Sequence, residues 1–128
     1  MNVQVIKLPK IVDPRGNLTF MQNNDQVPFL IKRVFWIYNV PGGQIRGGHA
    51  YKTQTEVIIA LSGSFDVVVY DGKQLKKYNL NRSYNALIIP PKIWRHMENF
   101  STNALSIHLS DREYDPHDYI WDKKCLWK

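Results

Sequence analysis

EVIIALSGSFDVVVYDGKQLKKYNL, residues 56–80, sets the fold class. EVIIALSG (56–63) is an apolar run rich in β-branched residues and closed by glycine. Such a run reads as a strand, because it is too short for a helix and its side chains suit a pleated surface. SFDVVVYDG (64–72) repeats the pattern at once, and the two read as paired strands around a turn at Ser62-Gly63-Ser64. Asp71-Gly72 is a hairpin signal, since both residues tolerate the backbone angles of tight turns. KQLKKYNL (73–80) then returns as the next partner.

The pattern extends both ways. NVQVIKL (2–8) alternates, with Val3, Val5 and the Ile6–Leu8 region as inward candidates. DPRGN (13–17) is turn chemistry and LTFM a short strand. IKRVFWIYNV (31–40) reads as a major strand with most of its aromatics in the core, and PGG at 41–43 ends it. NALIIPP (85–91) is a buried strand stopped by two prolines. WRHMENF and ALSIHLS (104–110) follow. In the tail, DPHDYIWDKKCLWK (115–128), Asp115 can cap a helix with Pro116 in its first turn and Asp118 as an early acid. Roughly nine short antiparallel strands are expected, in one all-β domain over residues 1–128. The architecture is a jelly-roll barrel or sandwich with a short C-terminal helix, and its mouth is the natural place for a small ligand.

The bulk numbers fit one domain of 128 residues with 44% hydrophobic content. Seventeen Lys and Arg against 11 Asp and Glu give a net charge of +6, which favours anionic partners. The basic clusters are pairs, Lys76-Lys77 and Lys123-Lys124, without an arginine-rich arm, which argues against nucleic acid. The single cysteine, Cys125, reads as a small apolar filler or surface thiol and permits neither an intrachain disulfide nor a cysteine zinc site. No run approaches the ~20 apolar residues of a membrane helix, and the start lacks a signal-peptide pattern, so a cytoplasmic protein is expected.

RGGHAYK (46–52) is too polar for a core strand and too glycine-rich for a helix. Around it stand Gly43, His49, Tyr51, Glu56 and Gly63. His49, Tyr51 and Thr53 would share one strand face. The spacing resembles the first motif of the cupin superfamily, G-x5-H-x-H-x3,4-E-x6-G, with Tyr51 in place of the second histidine. The second cupin motif is poorly kept, with His96 and Asn99 one residue too close. Metal-binding cupins use such residues as ligands, so His49, Glu56 and His96 would be the set for Fe(II) or Zn(II) if this were a metal-dependent member.

A closer resemblance spans nearly the whole chain. IVDPRGNL (11–18), VPFLIKRVFWIYNV (27–40), RGGHAYK (46–52), ALSGSFDVVVYDG (60–72), IIPPKIWRHMENF (88–100) and LSDREYDPHDYI (109–120) resemble the bacterial sugar 3,4-ketoisomerases. These are small cupins acting on dTDP-4-keto-6-deoxy-D-glucose, and are more distantly similar to the dTDP-sugar 3,5-epimerases. The resemblance implies a tautomerisation without metal or cofactor, a dTDP-sugar substrate, a homodimer and no nucleic-acid or membrane partner. A 3-keto product of this kind would serve deoxyamino sugar synthesis. The alternatives are the metal-dependent cupin above and a sugar-binding cupin without activity.

Ketone transfer from C4 to C3 needs a base near neutrality and help for charge on oxygen. His49 is the candidate base. The family's second histidine shuttles a proton. At that place Tyr51 is an orienting acid beside a His49 that carries both transfers, or His96 or Lys52 compensates, or the chain is an altered member. A purely structural Tyr51 also stays open. Arg33 and Arg46 match family arginines and are assigned to the diphosphate or ribose side. Tyr38 is the candidate for stacking thymine. Members giving galacto products pair an arginine in the RG turn with W-H-E-M, whereas gluco members carry W-R-E-M. Arg15 and Arg95 therefore point in opposite directions, with the gluco product favoured because Arg95 is nearer the cavity. His108, in an apolar strand, reads as a hydrogen-bonded or barrel-lining histidine rather than a catalyst. His117 reads as exposed, and Trp121 and Trp127 as cover for a subunit interface.

Overall fold

The computed structural model describes residues 1–126, so Trp127 lies outside the described residues. Twelve strands follow one another: β1 (Gln4–Lys7), β2 (Lys10–Ile11), β3 (Leu18–Thr19), β4 (Arg33–Tyr38), β5 (Arg46–Tyr51), β6 (Glu56–Ser62), β7 (Phe65–Tyr70), β8 (Leu75–Leu80), β9 (Asn85–Ile89), β10 (Trp94–Glu98), β11 (Leu105–Ser110) and β12 (Tyr119–Ile120). They form two antiparallel five-stranded sheets, ordered β1-β9-β6-β11-β4 and β12-β5-β10-β7-β8, with β2-β3 as a separate hairpin. The result is the expected cupin-like jelly roll. Of the three strands beyond the nine expected, β2 and β12 are two-residue pieces that periodicity does not resolve, and β5 is the RGGHAY stretch, too polar and glycine-rich to read as a core strand.

Residues 56–80 form the expected strands but not the expected pairing. β6 pairs with β9 and β11, while β7 pairs with β8 and β10. Strands 56–62 and 65–70 are therefore not partners, and the chain crosses between the sheets at Gly63. Gly63 has φ +66°, and a Cβ there would lie 2.5 Å from Ser101 Oγ and 2.8 Å from the Ala104 Cα. Glycine is needed both for the angle and for this close approach. The Asp71-Gly72 hairpin exists, but as a four-residue connection between Tyr70 and Leu75. Asp71 accepts hydrogen bonds from the Lys73 and Gln74 amides, which caps the loop as short acidic side chains do.

Period-two alternation gives each sheet two faces. Inward residues of both sheets form the main core, including Ile58, Ala60, Phe65, Val67, Val69, Leu80, Leu87 and Ile89. Val57, Ile59, Ala86, Ile88 and Leu109 face the other way and are covered by Leu8, Met21, Val27, Phe29 and Ile31 from the N-terminal segment. Val3 and Leu8 are buried as expected, whereas Val5 faces outward. β4 is the edge of its sheet. Only its alternate residues turn inward, so Val34, Trp36 and Tyr38 are exposed rather than core. The tail is a single 3-10 turn at Pro116–Asp118, capped by Asp115 accepting from the His117 amide, then β12 and a second turn at Lys123–Cys125. Tyr119 needs extended backbone to pair with Tyr51, and this limits the helix to one turn.

Candidate active site in the barrel lumen

Within β5, Arg46 opposes Met97 and His49 opposes Arg95, with the register shifting between them. Gly47 sits in this irregularity at φ +74°. The glycine pair of RGGHAYK is thus a bulge, a device that re-aims the side chains beyond it. His49 and Arg95 consequently turn inward together. Phe35, Ile37, Glu56, Ile58, Met97 and His108 line the same lumen.

Arg95 and Glu56 are both buried, and Arg95 Nη1 donates to Glu56 Oε1 at 2.8 Å. Arg95 Nε and Nη2 also donate to the Ile93 carbonyl at 3.2 and 3.1 Å. Its guanidinium lies 5.0 Å from the Tyr51 ring centre. Burial alone would raise the Glu56 pKa, but His108, Arg95 and His49 outweigh it and hold the carboxyl below its usual range. His108 places Nε2 2.9 Å from Ser106 Oγ, and its ring stacks on Phe35 at 4.5 Å. Its Nδ1 lies 3.5 Å from Glu56 Oε2, without an aligned hydrogen bond.

His49 has no hydrogen-bond partner at either buried ring nitrogen. Tyr51, Tyr119 and Trp121 surround its ring at centroid distances of 4.7, 5.0 and 5.5 Å. Burial first, then the Arg95 charge, lowers its pKa to about 4. The imidazole is therefore neutral at pH 7, the form a base requires. The same shift has a stability consequence. Below pH 6.5 the unfolded chain protonates this histidine and the folded one does not, so stability falls as pH drops toward 4, by about 3 kcal/mol at most. Denaturant titrations at pH 7.5 and 4.5 should show wild type losing about 2 kcal/mol more than His49→Asn. Equal losses would mean that the ring titrates normally.

Tyr51 is fully buried and its hydroxyl donates to Tyr119 at 3.5 Å. Burial, the Glu56 charge and that bond push the phenol well above its ordinary range, so it does not ionise near neutrality. Arg33 is half-buried and donates to Gln54 at 3.2 Å and to Tyr119 at 3.4 Å, leaving Nε free of partners. Arg46 and Tyr38 meet instead in an open groove that Trp36 and Ile45 also line. Lys52 is exposed just beyond β5. His96 is half-buried, opposes Val68, and lies on the outer face of β10, where it bonds Glu98 at 2.7 Å. It therefore does not join His49 and Glu56, and the three do not form one ligand set. Arg15 is 91% exposed and paired with Asp13 in the 13–17 turn.

Ser106, Tyr119 and the link from Glu56 to Arg95 join the site without a motif that marks them. Ser106, His108 and Ser110 form a polar period-two stripe within an apolar strand, and that stripe was the available signal.

The sequence model of the family described as FdtA, WxcM-like, C-terminal, matches residues 1–127. The chain belongs to this family. A TDP-4-oxo-6-deoxy-alpha-D-glucose-3,4-oxoisomerase from Aneurinibacillus thermoaerophilus is 36% identical over 120 residues, covering 94% of this chain and 86% of its own. The crystal structure of the WlaRB TDP-quinovose 3,4-ketoisomerase from Campylobacter jejuni is 39% identical, with TM-score 0.93 over 98% of this chain and 96% of its own. The WlaRA TDP-fucose-3,4-ketoisomerase of the same organism is 35% identical, with TM-score 0.92 over 98% and 93%. This FdtA-family chain is an isomerase of the 3,4-ketoisomerase group.

Proposed function

We propose that this FdtA-family isomerase converts dTDP-4-keto-6-deoxy-D-glucose to a dTDP-3-keto-6-deoxyhexose by proton transfer between C3 and C4. The observation that carries the reading is His49, neutral and unpartnered, directly opposite the fixed cation of Arg95 in the lumen. His49 removes the C3 proton, which the C4 ketone has made acidic. Charge moves onto O4 and is met by Arg95, already oriented by Glu56 and the Ile93 carbonyl, so the site need not reorganise as charge develops. The enediol carbon C4 is then protonated while O3 loses its proton, and the ketone is left at C3.

We assign the nucleotide to the groove that holds Arg46 and Tyr38, the arginine for the diphosphate and the tyrosine for the thymine; Arg33 and Lys52 stand at the far ends of β4 and β5 and do not reach the same group. Arginine's planar fork suits that role. We assign the gluco, quinovose-type product, because Arg95 lies inside the lumen while Arg15 sits on an exposed turn of the same subunit. A charged, soluble nucleotide sugar places the reaction in the cytoplasm. Among the described residues no helix is long and apolar enough to cross a membrane.

A homodimer belongs to the same proposal. The free edge of β4 presents Val34, Trp36 and Tyr38, and the β2-β3 hairpin presents Ile11, Val12 and Leu18, all exposed. Apolar surface of this kind on an edge strand calls for a partner. Analytical ultracentrifugation should give a dimer that Trp36→Glu shifts toward monomer; a wild-type monomer at micromolar concentration would rule the assembly out.

The test of function is to incubate the protein with dTDP-4-keto-6-deoxyglucose in D2O and follow C3 and C4 by NMR. Deuterium entry and a 3-keto product with the gluco configuration at C4 are expected. Neither exchange nor isomerisation would leave a sugar-binding cupin.

A further inference from the structure

The reaction moves two protons, one between carbons and one between oxygens. His49 accounts for the carbon proton. The oxygen proton must leave O3 and reach O4, and Tyr51, its hydroxyl directed at Tyr119 beneath Arg95, does not present a free acid–base group to the lumen.

We propose that His108, held between Ser106 and Glu56, is a second catalytic residue, which relays the proton between O3 and O4 of the substrate. This rests on the ketoisomerase reading above. His108 lines the same lumen as His49 from the opposite sheet. Its Nδ1 and the Glu56 Oε2 are both buried and both without a hydrogen bond, although only 3.5 Å apart. A core histidine with a purely structural role satisfies both nitrogens. Here one nitrogen is satisfied by Ser106, at 2.9 Å, and the other is left open beside a carboxylate on the lumen wall that faces His49. Burial of such atoms without partners is costly, and a ligand hydroxyl between them removes the cost.

His49 takes the C3 proton, and the C3–H electron pair becomes the C3=C4 bond as the carbonyl electrons move to O4. His108, beside the Glu56 carboxylate, takes the O3 proton on Nδ1 and passes it to O4, which leaves the enediolate charge on O3. The C3=O bond forms as that charge returns. The C3=C4 electrons collect the proton from His49 at C4. Both histidines end as they began, and nothing is oxidised or reduced overall.

Exchange and turnover separate the two histidines. In D2O, His108→Gln should slow 3-keto product formation by about 100-fold while deuterium still enters C3, because His49 and Arg95 remain. The ratio of exchange to turnover should rise by at least about ten-fold. Ser106→Ala, which keeps the ring but removes its anchor, should move the ratio the same way by a smaller amount. A His108→Gln protein that retains turnover, or loses exchange and turnover in step, overturns the assignment. Should that variant fail to fold, an unchanged ratio in Ser106→Ala overturns it. A wild type showing neither exchange nor turnover overturns the ketoisomerase reading itself.

Discussion

His49→Asn should abolish both deuterium entry at C3 and product formation, with turnover down by about 1000-fold or more. Asparagine keeps a polar side chain in the same strand but cannot accept a proton near neutrality. His108 stands on the opposite sheet and serves the sugar oxygens, and the groups beside His49 cannot replace its imidazole. Tyr51 is bonded to Tyr119 and pushed far from neutrality, and Glu56, held below the usual carboxyl range, is a weak base. The folded state should tolerate the change, since neither ring nitrogen has a partner to lose. The measurement is NMR in D2O alongside a thermal melt. A folded His49→Asn protein that still exchanges C3 would remove His49 from the role of base.

The second large effect concerns stability. Glu56→Gln should cost about 3–5 kcal/mol, because it strands a buried guanidinium whose neutralising partner lies 2.8 Å away. For a domain of this size that is a fall in Tm of about 15 °C. Adding Arg95→Met should recover most of the loss, since replacing both partners removes the uncompensated charge. A loss under about 1 kcal/mol for Glu56→Gln would mean that water reaches Arg95. The double replacement should remain inactive, which separates the structural need for the pair from its catalytic use.

Much of the fold could be read directly from residue patterns, and the reason lies in the period of the side chains. Val57 to Ala60 and Val67 to Val69 report strands because a pleated sheet with two buried faces demands apolar residues throughout. The same pattern does not report partners. β6 and β7 look like a hairpin, yet only Gly63's positive φ and its closeness to Ala104 reveal a crossing between sheets. Aromatic residues 36 and 38 look like core because edge and central strands share composition; the exposure follows from which neighbour is missing. Within the site, His49 is legible from its glycine-flanked strand. The Arg95–Glu56 pair is not, because it joins residues 39 positions apart that local spacing cannot connect. His108 shows only as a polar interruption of an apolar strand, and the meaning of that interruption depends on what stands across the barrel.

The buried carboxylate of Asp118 accepts from the Thr53 amide and hydroxyl and from the Gln54 amide, just after the strand that carries His49. Tyr119 then pairs with Tyr51 beside the base. One wall of the site is therefore fastened by a segment 68 positions further along the chain than the strand it covers. Closing that wall is a long-range step with a large loop to order, so the chamber is completed by tertiary docking rather than by the local hairpins that build the sheets.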